Sequence, residues 1–233
     1  MSLQDKIAQT IDHAFLHPTL GEHELEKGVR EITPLPLASV CVKPCHVKRT
    51  LTLLQDEDIP VGTVIGFPHG SQTTAMKVAE AVEMITMGAA ELDMVVHAGD
   101  VLEGQWARVE KELRDVKQAV EGSSVVLKCI FETDYVDQRA AIERLTQVVE
   151  YTGWDYAKTS TGFGFVKNES GNYHYRGAQV EHLKWMQAIA PNLKLKASGG
   201  IRTLADWQNM IEAGATRIGT SSTLSLIAEA ANG

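Results

Sequence analysis

Tyr156-Ala157-Lys158-Thr159-Ser160-Thr161-Gly162-Phe163 reads as a short strand that carries a lysine and runs straight into a turn of hydroxyls and glycine. About forty residues later the pattern returns as Leu195-Lys196-Ala197-Ser198-Gly199-Gly200. Two lysines on apolar strands, each just ahead of a loop that suits anions, predict an amine used for chemistry. The flanking sequence supplies more strands of the same kind.

Apolar or β-branched runs occur at 11–16, 39–42, 61–67, 90–96, 125–131, 155–159, 193–197 and 216–220. Between them lie stretches with apolar residues at helical spacing. The clearest is Thr74–Met87, where Ala75, Val78, Ala79, Val82 and Ile85 share a face and Gly88 follows as a stop. Residues 106–120, 138–151, 180–189 and 204–213 behave the same way, the last with Thr203 as its N-cap. Gly88, Gly153 and Gly214 fall at helix ends, where glycine takes the positive φ that a stop requires. Strands that alternate with helices are parallel neighbours joined by crossovers. Eight such units in 233 residues predict an α/β fold, a (β/α)8 TIM barrel forming a single domain over 1–233. A doubly wound open sheet is the competing arrangement. It should carry a nucleotide fingerprint in its first unit, and neither GxGxxG nor GxxxxGK(S/T) occurs.

One irregularity follows the Lys158 strand. Residues 164–177 (GFVKNESGNYHYRG) are polar and punctuated by glycine. A long loop on the C-terminal face of a barrel is either a place for substrate contacts or a lid, or a solvated surface loop.

In a barrel, the C-terminal ends of the strands surround the active site. The ionisable strand residues are Asp12 on the first, Asp93 on the fourth, Lys128 on the fifth, Lys158 on the sixth and Lys196 on the seventh. A single buried lysine or aspartate is as readily a structural ion pair as a catalytic group. Five in register, with Lys158 and Lys196 on neighbouring strands, are harder to read as structure alone. Two ammonium groups in a partly desolvated pocket disfavour each other's charge and lower the pKa of at least one. The neutral amine attacks carbonyls and forms a Schiff base, whose iminium is an electron sink for making or breaking C–C bonds. Asp93 is the natural proton carrier, directly or through water. The spacing leaves open which lysine is the nucleophile.

Ser198-Gly199-Gly200-Ile201-Arg202-Thr203 follows the seventh strand, and Gly219-Thr220-Ser221-Ser222 the eighth. Those two loops are the usual phosphate site of this barrel, built from glycine N–H groups and a helix N-terminus. Gly162 adds a third N–H after the sixth strand. The eight histidines show no HxH grouping and no Asp/Glu cluster completes a metal shell, so no metal is expected. His17 and His97, just past strand ends, are the two placed to touch a substrate.

Composition narrows the partners. A net charge of -8 argues against a nucleic-acid binder, which would carry a basic surface. The N-terminal MSLQDKIAQTIDHAF has no basic and apolar signal regions, and no apolar run reaches the ~20 residues that span a bilayer. Cys41, Cys45 and Cys129 lack zinc or redox spacing, and Cys41 and Cys129 read as buried thiols. A cytoplasmic protein acting on a small molecule, with neither nucleic acid nor membrane as partner, is the expectation.

Asp12-His13 with Leu16 and Pro18, Cys41-Val42-Lys43-Pro44, Gly66-Phe67-Pro68, Glu91-Leu92-Asp93-Met94-Val95, and Leu127-Lys128 with Glu132-Thr133 recur in order along the chain. With Lys158-Thr159-Ser160-Thr161-Gly162-Phe163 and Lys196-Ala197-Ser198-Gly199-Gly200-Ile201-Arg202-Thr203 they resemble deoxyribose-phosphate aldolase, from residue 12 to about 222. The resemblance implies a class I lyase that cleaves 2-deoxyribose 5-phosphate to acetaldehyde and glyceraldehyde 3-phosphate, in deoxyribonucleotide catabolism. Lys158 matches the Schiff-base lysine, Lys196 the second lysine that depresses its pKa, and Asp93 the proton-relay aspartate. Asp12 and Lys128 match supporting polar residues. Gly162, Gly199, Gly200, Arg202, Gly219, Ser221 and Ser222 match the phosphate-binding positions. The family implies no cofactor and, commonly, a homodimer.

Three departures bear on substrate preference. His17 stands where the family more often has lysine or asparagine, the 164–177 loop is long, and the chain ends at Asn232-Gly233 without the terminal tyrosine some members use. An aldolase of the same mechanism with a different or non-phosphorylated aldehyde, and a non-catalytic sugar-phosphate binding barrel, are the alternatives.

Overall fold

Side chains alternate between the two faces of every strand, so a barrel of short strands has one set of residues inside and one outside. A computed structural model, which describes residues 2–232, shows both sets. The strands in chain order are β1 (Ile11–Phe15), β2 (Ser39–Val42), β3 (Val61–Ile65), β4 (Glu91–Val95), β5 (Val126–Ile130), β6 (Tyr156–Lys158), β7 (Val166–Lys167), β8 (Tyr173–His174), β9 (Lys194–Ser198) and β10 (Arg217–Thr220). β7 and β8 form a small antiparallel hairpin within the 164–177 stretch. The other eight pair in parallel in the order β1-β10-β9-β6-β5-β4-β3-β2 and close into a barrel. The (β/α)8 expectation holds, with strand ends trimmed by a residue or two.

The helices are α1 (Leu3–Ala8), α2 (Glu22–Ile32), α3 (Val47–Leu53), α4 (Thr74–Met87), α5 (Ala98–Leu102), α6 (Trp106–Ala119), α7 (Arg139–Tyr151), α8 (Val180–Ile189), α9 (Leu204–Glu212) and α10 (Thr223–Asn232). Thr203 caps α9 in a reciprocal capping box with Asp206, an arrangement worth about 1 kcal/mol. Gly88 ends α4 in the left-handed conformation at φ 105°, as the sequence requires. The expectation drawn from Asn232-Gly233 lies outside the residues whose side chains are described.

The main core fills the space between barrel and helices. Leu92 and Met94 of β4, Leu127 and Cys129 of β5, and Leu195 and Ala197 of β9 all point into it. Each fully buried aliphatic side chain contributes about 1.5–3 kcal/mol. The residues between them, Asp93, Lys128 and Lys196, therefore face the barrel interior. A second, smaller apolar cluster of Leu16, Cys41 and Val64 with Phe67 and Phe163 also packs inside.

On α4 the expected face is only half right. Ala75, Val78, Ala79, Val82 and Ile85 do share a side, but Ala75, Ala79 and Val82 are exposed. The buried side is Lys77, Ala81 and Met84. Lys77 is fully buried because it pairs with Glu112 of α6 at 2.7 Å and donates to the Val95 carbonyl at 2.8 Å. A lysine scores as polar in any periodicity, so its partner on a distant helix hides the true face. Lys77→Met should lower stability by about 3–5 kcal/mol in urea unfolding, since it strands a buried carboxyl. Adding Glu112→Leu should recover much of that loss. A single variant as stable as the wild type would show that the pair does not hold α4 in place.

Candidate active site

The barrel register brings the ionisable strand residues together. Lys158 and Lys196 are direct partners across β6 and β9, and Asp93 and Lys128 across β4 and β5. All five candidates, Asp12, Asp93, Lys128, Lys158 and Lys196, are buried. Asp93 lies at their centre. Its Oδ2 accepts from Lys158 Nζ and from Lys196 Nζ, each at 2.7 Å, and its Oδ1 accepts from Lys128 Nζ at 2.7 Å. Lys196 also donates to Asp12 Oδ2 at 2.5 Å. The two lysine nitrogens share one oxygen, so they stand no farther apart than twice their distance from it.

Two further residues complete the network and were given no role in the sequence reading. Glu91 accepts from Lys128 at 2.6 Å. Arg217 reaches Asp12 at 2.5 Å and Glu91 at 3.2 Å. Glu91 lies two positions before Asp93 and so faces the same way, a signal that period-two alternation offered. Arg217 opens β10 opposite Lys196, and only the register reveals it. Most of these groups sit mid-strand, below the rim; Lys158 alone is the last residue of its strand.

Four cations (Lys128, Lys158, Lys196, Arg217) face three carboxylates (Asp12, Glu91, Asp93). Burying an ion costs several kcal/mol unless its charge is compensated, so the network is relieved by losing one proton. Lys158 is the lysine whose pKa is lowered. Burial depresses its pKa most, Asp93 restores part of it, and the Lys196 charge lowers it further. For Lys196 burial acts the same way, but Asp12 and Asp93 outweigh it and the pKa rises. Lys128, held by Asp93, Asp12 and Glu91 against the same burial, is raised well above the ordinary range. Burial opposes ionisation of Asp93, yet its three lysines hold the carboxyl well below the usual carboxylate range. Burial pushes the nearby Cys41 thiol up to about 11, so the thiol is inert. Of the two lysines that spacing left open, Lys158 is the one whose charged form is disfavoured.

Above the network opens a cavity of about 460 Å³. Lys158, Lys196 and Asp12 line it, as do Gly162, Gly199, Gly200, Arg202, Gly219, Ser221 and Ser222. Asp93 and Lys128 lie outside its lining and act from behind. The backbone N–H groups of Gly162, Gly200 and Ser221 have no hydrogen-bond partner among the described residues. The Arg202 side chain is likewise without an ion pair there, and α10 begins directly after Ser222. A cavity with a lysine amine of lowered pKa among its lining groups, and with free N–H groups, a guanidinium and a helix N-terminus, suits an anionic carbonyl compound.

His17 lines this cavity. His97 does not; its Nδ1 instead accepts the Asp100 N–H at 3.1 Å and caps α5. Among the described residues, no three His, Cys, Asp or Glu side chains come together as a metal shell. The sequence reading also left Glu132 without a role of its own. It is buried at φ 53°, hydrogen-bonds Thr161 beside the β6 loop, and is pushed up to about 7 by burial.

Known proteins with this arrangement agree on its class. The DeoC/LacD family aldolase profile matches residues 6–227. Deoxyribose-phosphate aldolase of a Thermoanaerobacter species is 41% identical over 225 residues, covering 96% of each chain. That of Carboxydothermus hydrogenoformans is 42% identical over 95% of this chain and 94% of its own. Among solved structures, one described as an aldolase superposes with TM-score 0.87 at 37% identity, covering 97% of this chain and 96% of that one. The tetrameric deoxyribose phosphate aldolase of Aeropyrum pernix gives TM-score 0.84 at 26% identity, covering 97% and 91%. With the family profile spanning nearly the whole chain and relatives near 40% identity end to end, this protein belongs to the DeoC/LacD family of aldolases.

Proposed function

We propose that the protein is a deoxyribose-phosphate aldolase working through a Schiff base on Lys158, as one domain over 1–233. The observation that carries the reading is the single excess positive charge of the barrel network, which leaves Lys158 as the amine most easily deprotonated. The neutral amine adds to C1 of open-chain deoxyribose 5-phosphate, and loss of water gives the iminium. Removal of the C3 hydroxyl proton breaks the C2–C3 bond. Its electron pair moves into the iminium as an enamine, and glyceraldehyde 3-phosphate leaves. Protonation at C2 and hydrolysis then release acetaldehyde and free Lys158.

Asp93, kept ionised by its lysines, accepts protons shed at Lys158, and the adjacent Lys196 is the nearest donor. Asp12 and Lys128 hold Lys196 and Asp93 in place. Gly162, Gly199, Gly200, Arg202, Gly219, Ser221 and Ser222 take the phosphate through backbone N–H groups, hydroxyls and a guanidinium. The shared name of the relatives favours this substrate over an unphosphorylated one. The enzyme is assigned to the cytoplasm and to deoxyribonucleotide catabolism; no described helix is long and apolar enough to cross a membrane.

Borohydride reduction in the presence of acetaldehyde should add mass to Lys158 alone, and Lys158→Ala should abolish both the adduct and turnover. An adduct on Lys196 would exchange the two roles, and no adduct from folded protein would remove the class I mechanism. Lys196→Leu takes away a like charge and frees Asp93 to hold Lys158 protonated, so the acid limb of the kcat/KM profile should move to higher pH. Each pH unit of movement costs about tenfold in neutral amine at fixed pH. An unmoved limb would refute the electrostatic role of Lys196. The assembly is proposed to be a homodimer, so light scattering should give twice the chain mass of 25.5 kDa; a tetramer, as recorded for the Aeropyrum pernix protein, would correct it.

A further inference from the structure

The insertion between β6 and α8 is tied down at both feet by the loop after β5. Asp134 Oδ1 accepts the N–H of Arg176 at 2.8 Å and of Gly177 at 3.0 Å, and Arg176 pairs with Asp137. At the other foot, a Cβ on Gly164 would stand 2.7 Å from Asp134 Cβ, so the backbone is seated directly on that side chain. The hairpin tip between the feet is exposed, with Tyr173 at 68%. Tyr175 turns the other way.

The Tyr175 ring lines the cavity and packs against Phe165 at 6.3 Å between centroids. A Cβ on Gly200 would lie 3.2 Å from that ring. The hydroxyl rests over the two other glycines of the anion site. It lies 2.2 Å from where a Cβ on Gly199 would stand and 3.9 Å from where one on Gly162 would stand. This hydroxyl is buried and has no hydrogen-bond partner among the described residues. A buried donor left unsatisfied is costly, and the anchored feet keep it from turning out to water.

We propose that the Tyr175 hydroxyl binds the terminal anion of the substrate, donating a hydrogen bond to a phosphate oxygen held at Gly162, Gly199 and Gly200. The proposal rests on the sugar-phosphate reading above and adds a binding residue supplied by this chain's long loop. An anionic acceptor is the partner that the surroundings select. The unoccupied backbone N–H groups and Arg202 line the same cavity, and a charged acceptor makes the stronger bond. Burial, and then the Asp134 and Glu132 carboxylates, push the phenol's pKa upward, so it stays protonated and able to donate. Gly199 is required here twice over, by its φ of 106° and by the oxygen above it.

Inorganic phosphate titrated calorimetrically into wild type and Tyr175→Phe should bind the variant about 10–100-fold more weakly, the factor carried by a hydrogen bond to a charged group. The ratio of kcat/KM for deoxyribose 5-phosphate to that for unphosphorylated deoxyribose should fall by a similar factor. Thermal unfolding of Tyr175→Phe should match or exceed the wild type, since the hydroxyl has no partner among the described residues. Equal phosphate affinity would make the hydroxyl a bystander and overturn the proposal. Tighter binding by the variant would overturn it differently, by making Tyr175 a plug in the anion site. Acetaldehyde trapping on Lys158 involves no anion. Its failure in the wild type would sink the aldolase reading, while the phosphate comparison would still decide the role of Tyr175.

Discussion

Three ammonium groups on one carboxylate set the terms for this active site. Asp93 accepts from Lys128, Lys158 and Lys196 at once, and Asp12 and Glu91 bring in Arg217. An odd positive charge is thereby confined where water cannot dilute it. Buried ions are tolerable only when compensated, so the lysine whose pKa is lowered is the one with the fewest carboxylate partners. Among the described residues Lys158 pairs with Asp93 and no other carboxylate, whereas Lys196 has two and Lys128 three. Nucleophilicity is here a property of the network rather than of one side chain.

The barrel makes such a network possible because its interior is reached from every strand at the same level. TIM barrels usually fill that space with branched apolar layers. Here the lower layers are ionic, and an apolar cluster of Leu16, Cys41 and Val64 stands apart within the same interior. Stability comes instead from the shell between strands and helices, where the outward residues of the same strands pack. Structure and chemistry are thus divided between the two faces of each strand. A one-residue slip of register would exchange them.

The loops divide their work in a similar way. Gly199 and Gly200 occupy positive φ values of 106° and 76° and line the cavity with backbone that carries no side chain of its own. The long insertion after β6 adds a hairpin whose feet are fixed on Asp134 and whose tip is exposed. Placing a side chain at the cavity from a fixed foot limits the entropy lost when a ligand binds.

Much of this was legible in the sequence. Eight short strands with helices between them, glycine at Gly88 and Gly214, and the cap at Thr203 are local signals, each carried by a few neighbouring residues. The residue types at Asp12, Asp93, Lys128, Lys158 and Lys196 were visible for the same reason, since a charge on an apolar strand stands out. Pairing across strands was not. Glu91 and Arg217 joined the network only through register, and the buried side of α4 depended on Glu112, thirty-five residues from Lys77. Which lysine has its pKa lowered depended on how many carboxylates reach each one in space. The residues of Tyr175's surroundings come from three separate loops, so its inward turn had no local signature. Local propensity acts over a few residues, whereas Coulomb energy and close packing act over a few ångströms, and only folding makes those two measures coincide.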